Sequence, residues 1–420
     1  MRTRPQFSSS RRRFVRSLAA AGVTLPVLPG LSIGTTDTAV GTRHLVLVEL
    51  RGGNDGLNTV VPYTDPLYAA RRPTLALPTD SVLALDERVG LHPALSPIMR
   101  LWDRNEMAIV QGMGYPEPNR SHFRSIEIWE TASDADEALL DGWLAPVADR
   151  LTSTDPDGVR AVAFADDDGP LAGTTGRSIV VDNLERFLQQ GRRLRERETI
   201  TDNPVLAHIL EVERTARRGA LDFTERLRAS GLEDQSESRS AALPDTSGAS
   251  EMGSAAPRKE GASRFVKEMD AIGRLIAEDV GPRVWKVGLG TFDTHASQLG
   301  RQASLLEQLA RGIATFERVL RDTGRWNDVV LVTYSEFGRR TEENVSNGTD
   351  HGTAAPHFVI GGAVKGGLVG RHPDLANLEG GDLVHDIDFR SLYRTIASDW
   401  FGQPDAGTPY AGFRRLKLFS

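Results

Sequence analysis

Cysteine is absent from the 420 residues of the sequence. Disulfide bonds and thiolate metal sites are therefore both excluded, and any metal ion has to be held by Asp, Glu, His, Ser or Thr. Lysine is scarce as well, since only five of the 50 basic residues are lysine. The formal net charge of -7 gives no reason to expect nucleic-acid binding. The hydrophobic fraction of 39% and the charged fraction of 25% are typical of a soluble globular protein.

The amino-terminal segment SRRRFVRSLAAAGVTLPVLPG pairs Arg11 with Arg12, places Phe14 shortly after them and continues into a weakly apolar stretch. This order resembles the bacterial twin-arginine export signal, and a disordered basic tail is the alternative. We expect residues 1–40 to be a signal segment that the twin-arginine translocase recognises, and the protein to be periplasmic or extracellular. The apolar stretch from Leu18 to Leu31 is too short and too interrupted by Gly and Pro to span a bilayer, so the mature protein is expected to have no stable membrane span.

Short apolar, β-branched runs alternate with amphipathic helical patterns along the rest of the chain, and such runs indicate buried strands. They lie at residues 44–50, 107–112, 159–164, 283–290, 328–334 and 357–362. Helical periodicity covers residues 205–229, 263–279 and 299–320, and Gly324 then offers a stop signal. The alternation predicts an α/β fold of three layers, in which helices cover both faces of a mostly parallel sheet. We expect residues 41–420 to form one domain, with a disordered loop at about 231–262 that has almost nothing to bury.

Polar side chains follow these predicted strands. In an open parallel α/β sheet, ligands bind beyond the carboxyl ends of the strands. The residues at those ends are Asn54, Asp55, Arg120, Ser121, His122, Asp293, His295 and Glu336. Asp350 and His351 precede the last run, and they reach the same edge only if that strand runs antiparallel to the others. If the sequence FDTH continues its strand, Asp293 and His295 point to one face, where a carboxylate and an imidazole can share a cation such as zinc.

Each of these residues also has a structural interpretation. An Asp-x-His pair is commonly a hydrogen-bonded turn, Ser121 stands where a helix cap is common, and Asp55 inside GGNDG can stabilise its own turn. His122 can orient or protonate a substrate or lie on the surface, and the pair at 339–340 can line the mouth of a site or be solvated. The coincidence of all these residues at strand ends favours a functional site.

Several longer motifs resemble those of a known family. LVLVELRGGNDGLN, NRSHF, FDTHASQ, TYSEFGRR, DHG before a short strand and DFRSLY resemble the domain of unknown function 1501, a bacterial family usually led by a twin-arginine signal. The resemblance covers residues 44 to 420. That family is in turn similar to the alkaline phosphatase and sulfatase superfamily. The resemblance therefore implies an alkaline-phosphatase-like fold in which two divalent metal ions flank a Ser or Thr nucleophile.

By position, the resemblance implies that Asp293, His295 and His351 hold one metal, with Asp350 beside them as a further candidate ligand. Three ligands that donate nitrogen or oxygen, with a fourth position open, are the usual arrangement of a catalytic zinc. We therefore expect zinc at this first position.

The second metal would be held by Asp55, Ser121 and the pair formed by Glu336 and Phe337. Phe337 stands where the superfamily has a histidine, and a phenylalanine cannot bind a metal. The remaining ligands are oxygens, which suit magnesium, calcium or manganese better than zinc. We therefore expect about one tightly bound transition metal in the protein.

The function implied by the resemblance is metal-dependent hydrolysis of phosphate or sulfate esters outside the cytoplasm. Ser121 would be the nucleophile, and Arg120 would hold the oxygens of the transferred group. The alternative is an exported protein that binds a metal or ligand on the same scaffold without catalysis. A third possibility is a scaffold for a partner without any metal.

Overall fold

The computed structural model describes residues 42–151, 159–174, 178–182, 186–187, 263–279 and 281–419, together with a few single positions between 203 and 229. The predicted signal segment 1–40 and the predicted loop 231–262 lie outside the described residues. Most of the predicted helix 205–229 also lies outside them.

A nine-stranded sheet forms the centre of the described part of the chain. Its strands are β1 (His44–Arg51), β5 (Met107–Gly114), β6 (Ala161–Phe164), β7 (Ser178–Val180), β8 (Val284–Gly290), β9 (Val329–Tyr334), β10 (Ala355–Ile360), β11 (Gly367–Val369) and β14 (Ile387–Asp388). They are ordered β11-β5-β10-β9-β1-β8-β6-β7, with β14 also paired to β5. Smaller sheets contain β2 (Val60–Val61), β3 (Leu83–Ala84) and β4 (Gly90–Leu91), and β12 (Leu378–Glu379) with β13 (Asp382–Leu383). Each predicted strand is present, with ends that differ by no more than a few residues.

Strand β10 runs against the direction of its neighbours. It pairs antiparallel with both β5 and β9, whereas the other pairings in this sheet are parallel. The segment that precedes β10 therefore arrives at the edge where the parallel strands end. This meets the condition under which Asp350 and His351 reach that edge.

Successive side chains of β1 pack into hydrophobic cores on opposite faces of the sheet. Val46, Val48 and Leu50 belong to a buried cluster on one face of the sheet, and Leu45 and Leu47 belong to a cluster on the other face. This period of two is what a strand buried on both faces requires. The sheet covered on both sides confirms the predicted three-layer α/β fold.

Helices supply the outer layers. They are α1 (Gly56–Thr59), α2 (Pro66–Arg71), α3 (Met99–Asp103), α4 (His122–Thr131), α5 (Ala145–Arg150), α6 (Arg264–Ala277), α7 (Gln298–Asp322) and α8 (Arg390–Thr395). Helices α6 and α7 pack on the face that contains Val46, and α4, α5 and α8 pack on the opposite face. Short 3-10 turns lie at Thr79–Ser81, Pro93–Ile98, Gly169–Leu171 and Trp326–Asp328, and a π-helical turn at Ile396–Trp400 follows α8.

Helix α7 shows how the sequence pattern determines one of these elements. Its side chains at Leu306, Leu309, Ile313 and Phe316 recur at three- and four-residue spacing and are all fully buried. Burial of each such side chain contributes roughly 1.5–3 kcal/mol relative to exposure. The helix ends before Gly324, whose φ of +71° is readily adopted by glycine, as the sequence predicts. Among the described residues, no helix is both long and apolar enough to cross a membrane.

Candidate metal centre

The loop that follows β8 brings Asp293 and His295 together. The strand ends at Gly290, so the condition that FDTH continues the strand is not met. The two side chains nevertheless meet, because Asp293 Oδ1 lies 2.9 Å from His295 Nε2. The turn of the loop, rather than the pleat of a strand, produces this pairing.

His351 joins this pair from the segment before β10. Its Nε2 lies 3.2 Å from Asp293 Oδ1 and 3.0 Å from His295 Nε2. The three atoms therefore converge at one point. The structure brings together all three residues that the resemblance assigns to the first metal.

The other ring nitrogen of each histidine contacts a hydrogen-bond acceptor. His295 Nδ1 lies 3.2 Å from Asp350 Oδ1, and His351 Nδ1 lies 2.9 Å from the backbone oxygen of Arg120. In a neutral imidazole these partners assign the proton to Nδ1 and leave the lone pair on Nε2. Two lone pairs and a carboxylate oxygen then face one another, and an acceptor at Nδ1 orients metal-ligating histidines in the same way.

His122, the first residue of α4, belongs to the same group. Its Nδ1 lies 3.0 Å from Glu336 Oε1, and its Nε2 lies 3.6 Å from Asp293 Oδ2. His122, Asp293 and His351 each offer one possible ligand atom, and these atoms lie within 4.8 Å of one another. His122 therefore contacts the candidate centre while 37% of its side chain stays exposed, and its place next to the candidate nucleophile Ser121 is the signal that would have indicated its position.

Arg339 fixes the orientation of Asp293. Its Nη2 donates to Asp293 Oδ1 at 2.7 Å, and its Nε donates to the carbonyl oxygen of Gly53 at 2.7 Å. The side chain of Arg339 has no exposure, so neither the mouth-lining nor the solvated interpretation holds for it. A buried guanidinium that makes several bonds of this kind holds the carboxylate in one position.

Phe337 packs against the imidazoles. Its ring centroid is 4.4 Å from that of His351 and 5.0 Å from that of His122. It is 2% exposed, and it lies so close to Gly53 that a Cβ there would approach the ring to 2.4 Å. Phe337, which cannot bind a metal, thus packs against the two histidine rings.

Glu336 is buried behind His122. Its Oε1 accepts a hydrogen bond from the backbone N–H of Gly52 at 2.7 Å in addition to its contact with His122. Its Oε2 is buried without a hydrogen-bond partner. Glu336 therefore lies at the candidate centre, and its contact is with the ring nitrogen of His122 that points away from Asp293.

Asp55 has a different set of partners. Its carboxylate accepts from the Leu57 N–H at 3.1 Å and so caps α1, and it pairs with Arg72 Nη1 at 2.6 Å. Neither side chain of this ion pair is exposed, and Gln298 Nε2 donates to the same carboxylate. Ligation of a metal by Asp55 would require it to leave Arg72.

Ser121 and Arg120 stand at the entrance to α4. Ser121 occupies the N-cap position, but its side chain makes no capping hydrogen bond, so the cap interpretation does not account for it. Its neighbours in sequence, Arg120 and His122, both contact residues of the candidate centre. The guanidinium of Arg120 pairs with the buried carboxylate of Asp382 on β13.

Burial and charge favour the ionised carboxylate of Asp293 and the neutral imidazole of His351. Burial alone would raise the pKa of Asp293, but the hydrogen bond and charge of Arg339 outweigh it and lower that pKa. Burial lowers the pKa of His351, and the charge of Arg339 adds to this effect. The hydrogen bond to Glu336 raises the pKa of His122. Asp293 and His351 are thus held in the protonation states in which these groups bind metals.

The fold and the site define an α/β protein with a histidine- and carboxylate-rich centre at the carboxyl edge of its sheet. A family described as "Protein of unknown function (DUF1501)" matches residues 107–397, and the chain belongs to that family. No curated protein matches the sequence significantly.

Several solved structures are similar to this chain in backbone fold. One is the PsFucS1 sulfatase from Pseudoalteromonas sp., with 9% sequence identity, a TM-score of 0.40, and coverage of 91% of this chain and 72% of that chain. The lipoteichoic acid synthase LtaP from Listeria monocytogenes has 11% identity and a TM-score of 0.35, with 90% and 77% covered. The phosphonate monoester hydrolase of Agrobacterium radiobacter has 11% identity and a TM-score of 0.33, with 76% and 68% covered. These similarities are distant.

Proposed function

We propose that this protein is an exported, metal-dependent hydrolase of phosphate or sulfate esters. The observation that carries the proposal is the convergence of His295 Nε2 and His351 Nε2 on Asp293 Oδ1, at 2.9–3.2 Å. Turns and helix caps do not require two imidazole lone pairs to face one carboxylate oxygen. A shared divalent cation does.

The residues present fit such a cation. Asp293, His295 and His351 would hold it, and Asp350 would orient His295 through its Nδ1. Three carboxylates of the group, on Asp293, Asp350 and Glu336, are opposed by two guanidinium groups, since Arg339 pairs with Asp293 and the charge of Arg340 acts on Asp350; this leaves negative charge for a cation to neutralise. An ion bound there supplies positive charge that lowers the pKa of a nearby hydroxyl and stabilises charged ester oxygens.

Ser121 is the proposed nucleophile. Its hydroxyl does not cap the helix and it lies between two residues that contact the centre, and both observations support a role in which it would attack phosphorus or sulfur. The alcohol of the ester would leave, and water would then release the phosphate or sulfate from the serine. Arg120 would hold the equatorial oxygens through its planar fork once an anionic group competes with Asp382 for it.

Two measurements on the exported protein test this proposal. Metal content is determined first, and turnover of p-nitrophenyl phosphate and p-nitrophenyl sulfate is then measured before and after chelation. Ser121→Ala should reduce turnover by at least about 1,000-fold without loss of metal, because it removes only the nucleophile. Ser81→Ala, at a serine in the distant turn Thr79–Ser81, is the matched control and should have no effect.

One observation favours a second candidate, an exported metal- or ligand-binding protein without catalysis. The guanidinium proposed to bind the substrate is already paired, since Arg120 lies against the buried Asp382. If the protein retains metal but Ser121→Ala changes no hydrolytic rate, this second candidate is correct and the hydrolase proposal is wrong.

A further inference from the structure

The sequence suggests a second metal position that would be held by Asp55, Glu336 and Ser121 and is poorer in nitrogen. The structure places a third imidazole, that of His122, at the other oxygen of Asp293. We infer that His122 is a ligand of the same ion as Asp293, His295 and His351, and that Glu336 positions His122 rather than binding the metal. The inference rests on the proposed metal centre and defines its ligand set.

Distance supports His122 as a ligand. Two atoms that each lie about 2.1 Å from one ion are at most about 4.2 Å apart. His122 Nε2 lies 3.6 Å from Asp293 Oδ2, which is inside this limit. Its ring also lies edge-on to that of His351, with centroids 4.4 Å apart.

The proton on His122 supports the same assignment. Glu336 Oε1 lies 3.0 Å from Nδ1, so a neutral His122 carries its proton there and presents a lone pair on Nε2. His295 and His351 have the same arrangement, with Asp350 and the Arg120 carbonyl in the place of Glu336. Three imidazoles thus each contact an oxygen through Nδ1 and direct Nε2 toward Asp293.

Glu336 is suited to orienting the ring through its Oε1, while its Oε2 is buried without a hydrogen-bond partner. The oxygen that contacts His122 does so at Nδ1, on the side of the ring opposite to Nε2, and it also accepts from Gly52 N. An oxygen held in this way is typical of the partner that fixes the tautomer of a ligating histidine. The centre is then a single position with three nitrogens and one carboxylate, and Phe337 is not the site of a missing ligand.

The ligand set has a consequence for the nucleophile. His122 is the first residue of α4 and Ser121 is its N-cap. An ion bound to His122 therefore fixes the start of the helix and the position of Ser121 relative to the centre.

The test measures zinc affinity of the full-length chain by competition with a chromophoric chelator, and does not depend on turnover. His122→Ala should weaken zinc binding by more than about 100-fold, since loss of an outer partner alone costs roughly 10–100-fold. Glu336→Gln should weaken it by less than about 10-fold, because the amide oxygen can still accept from His122 Nδ1. His372→Ala is the control, since the charges that act on His372 are those of Arg88, Asp65, Asp86 and Asp374 and not those of the centre.

Zinc X-ray absorption spectra provide a second measurement if a variant is destabilised. The wild-type spectrum should fit three imidazoles, and that of His122→Gln should fit two. The ligand assignment would be overturned if His122→Ala bound zinc as tightly as wild type. It would also be overturned if Glu336→Gln lost as much zinc affinity as His122→Ala. If the protein binds zinc tightly through His122 but hydrolyses neither ester, this inference is supported and the hydrolase proposal is refuted.

Discussion

His295 and His351 face each other through their Nε2 atoms, which lie 3.0 Å apart. Each ring contacts an acceptor through its Nδ1, so two neutral rings have no proton to share between the Nε2 atoms. Two facing lone pairs beside the carboxylate of Asp293 repel one another unless a proton or a cation lies among them. Arg339 holds that carboxylate from behind and keeps it ionised. The relationship between these two histidines is therefore the strongest structural argument for a metal centre.

The buried ion pair between Asp55 and Arg72 should determine stability rather than metal content. Asp55→Asn should lower the free energy of unfolding by on the order of 3–5 kcal/mol, because it leaves the Arg72 charge buried without a counterion. Chemical denaturation measures this loss, and zinc analysis of the same variant should show no change.

Asp65→Asn is the matched control for this substitution. Asp65 also caps a helix, accepting from the Leu67 N–H at 2.9 Å, and within the described part of the chain no ion pair joins it to an arginine. Its replacement should cost at most about 1 kcal/mol. Loss of zinc from Asp55→Asn at unchanged stability would instead make Asp55 a ligand.

Stability should depend on pH through Glu130. Three carboxylates, on Glu49, Glu130 and Asp167, share the ammonium of Lys286, whose side chain has no exposure. Burial would lower the pKa of Lys286, but the three carboxylates raise it, so the lysine stays charged. Burial raises the pKa of Glu130 from 4.5 to about 7, even though Lys286 opposes the shift. Glu130 therefore keeps its proton in the folded protein up to about pH 7.

The sign of the effect follows from this raised pKa. Below pH 4.5 Glu130 is protonated in both the folded and the unfolded chain, and its contribution to stability is fully present. As pH rises to about 7 the unfolded chain loses its proton first, so stability falls by on the order of 3 kcal/mol. Glu130→Gln cannot ionise and should flatten the unfolding free energy between pH 5 and pH 7 when measured by denaturant titration. An unchanged pH profile in that variant would show that Glu130 is not the group responsible.

Export is predicted from the amino-terminal arginines. Arg11→Lys combined with Arg12→Lys should leave the precursor in the cytoplasm, because the paired arginines define the signal. Cell fractionation followed by immunoblotting measures the distribution. The single substitution Arg16→Lys, just after the pair, is the control and should be exported normally. Delivery of the double variant to the periplasm at wild-type levels would refute the twin-arginine assignment.

Much of the fold could be predicted from local patterns. Continuous apolar runs determine strands such as β1 and β9, and the spacing of Leu306, Leu309 and Ile313 determines α7, because both are properties of neighbouring residues. The short strands β11 and β14 could not be predicted, since each consists of two or three residues whose partner is β5. The direction of β10 could be stated only as a condition.

Site residues could be predicted from the sequence where the residue type itself restricts the chemistry. They could not be predicted where the role of a residue depends on partners that are distant in the sequence. Asp293, His295 and His351 could be identified because histidine and aspartate at strand ends suit a metal. The role of His122 depends on Glu336, which lies 214 positions away in the sequence. The pairing of Arg339 with Asp293 likewise depends on the folded chain, since an arginine in a polar loop is more often solvated.

The metal content of the purified protein tests the central claim most directly. Wild-type protein purified without chelators should contain about one tightly bound zinc ion per chain, as expected for one set of nitrogen and oxygen ligands. His351→Ala should lose it, while His372→Ala should retain it, when both are analysed by mass spectrometry of the acid-released metal. The account is contradicted if wild-type protein contains no divalent metal after reconstitution with zinc, or if His351→Ala retains as much zinc as wild type.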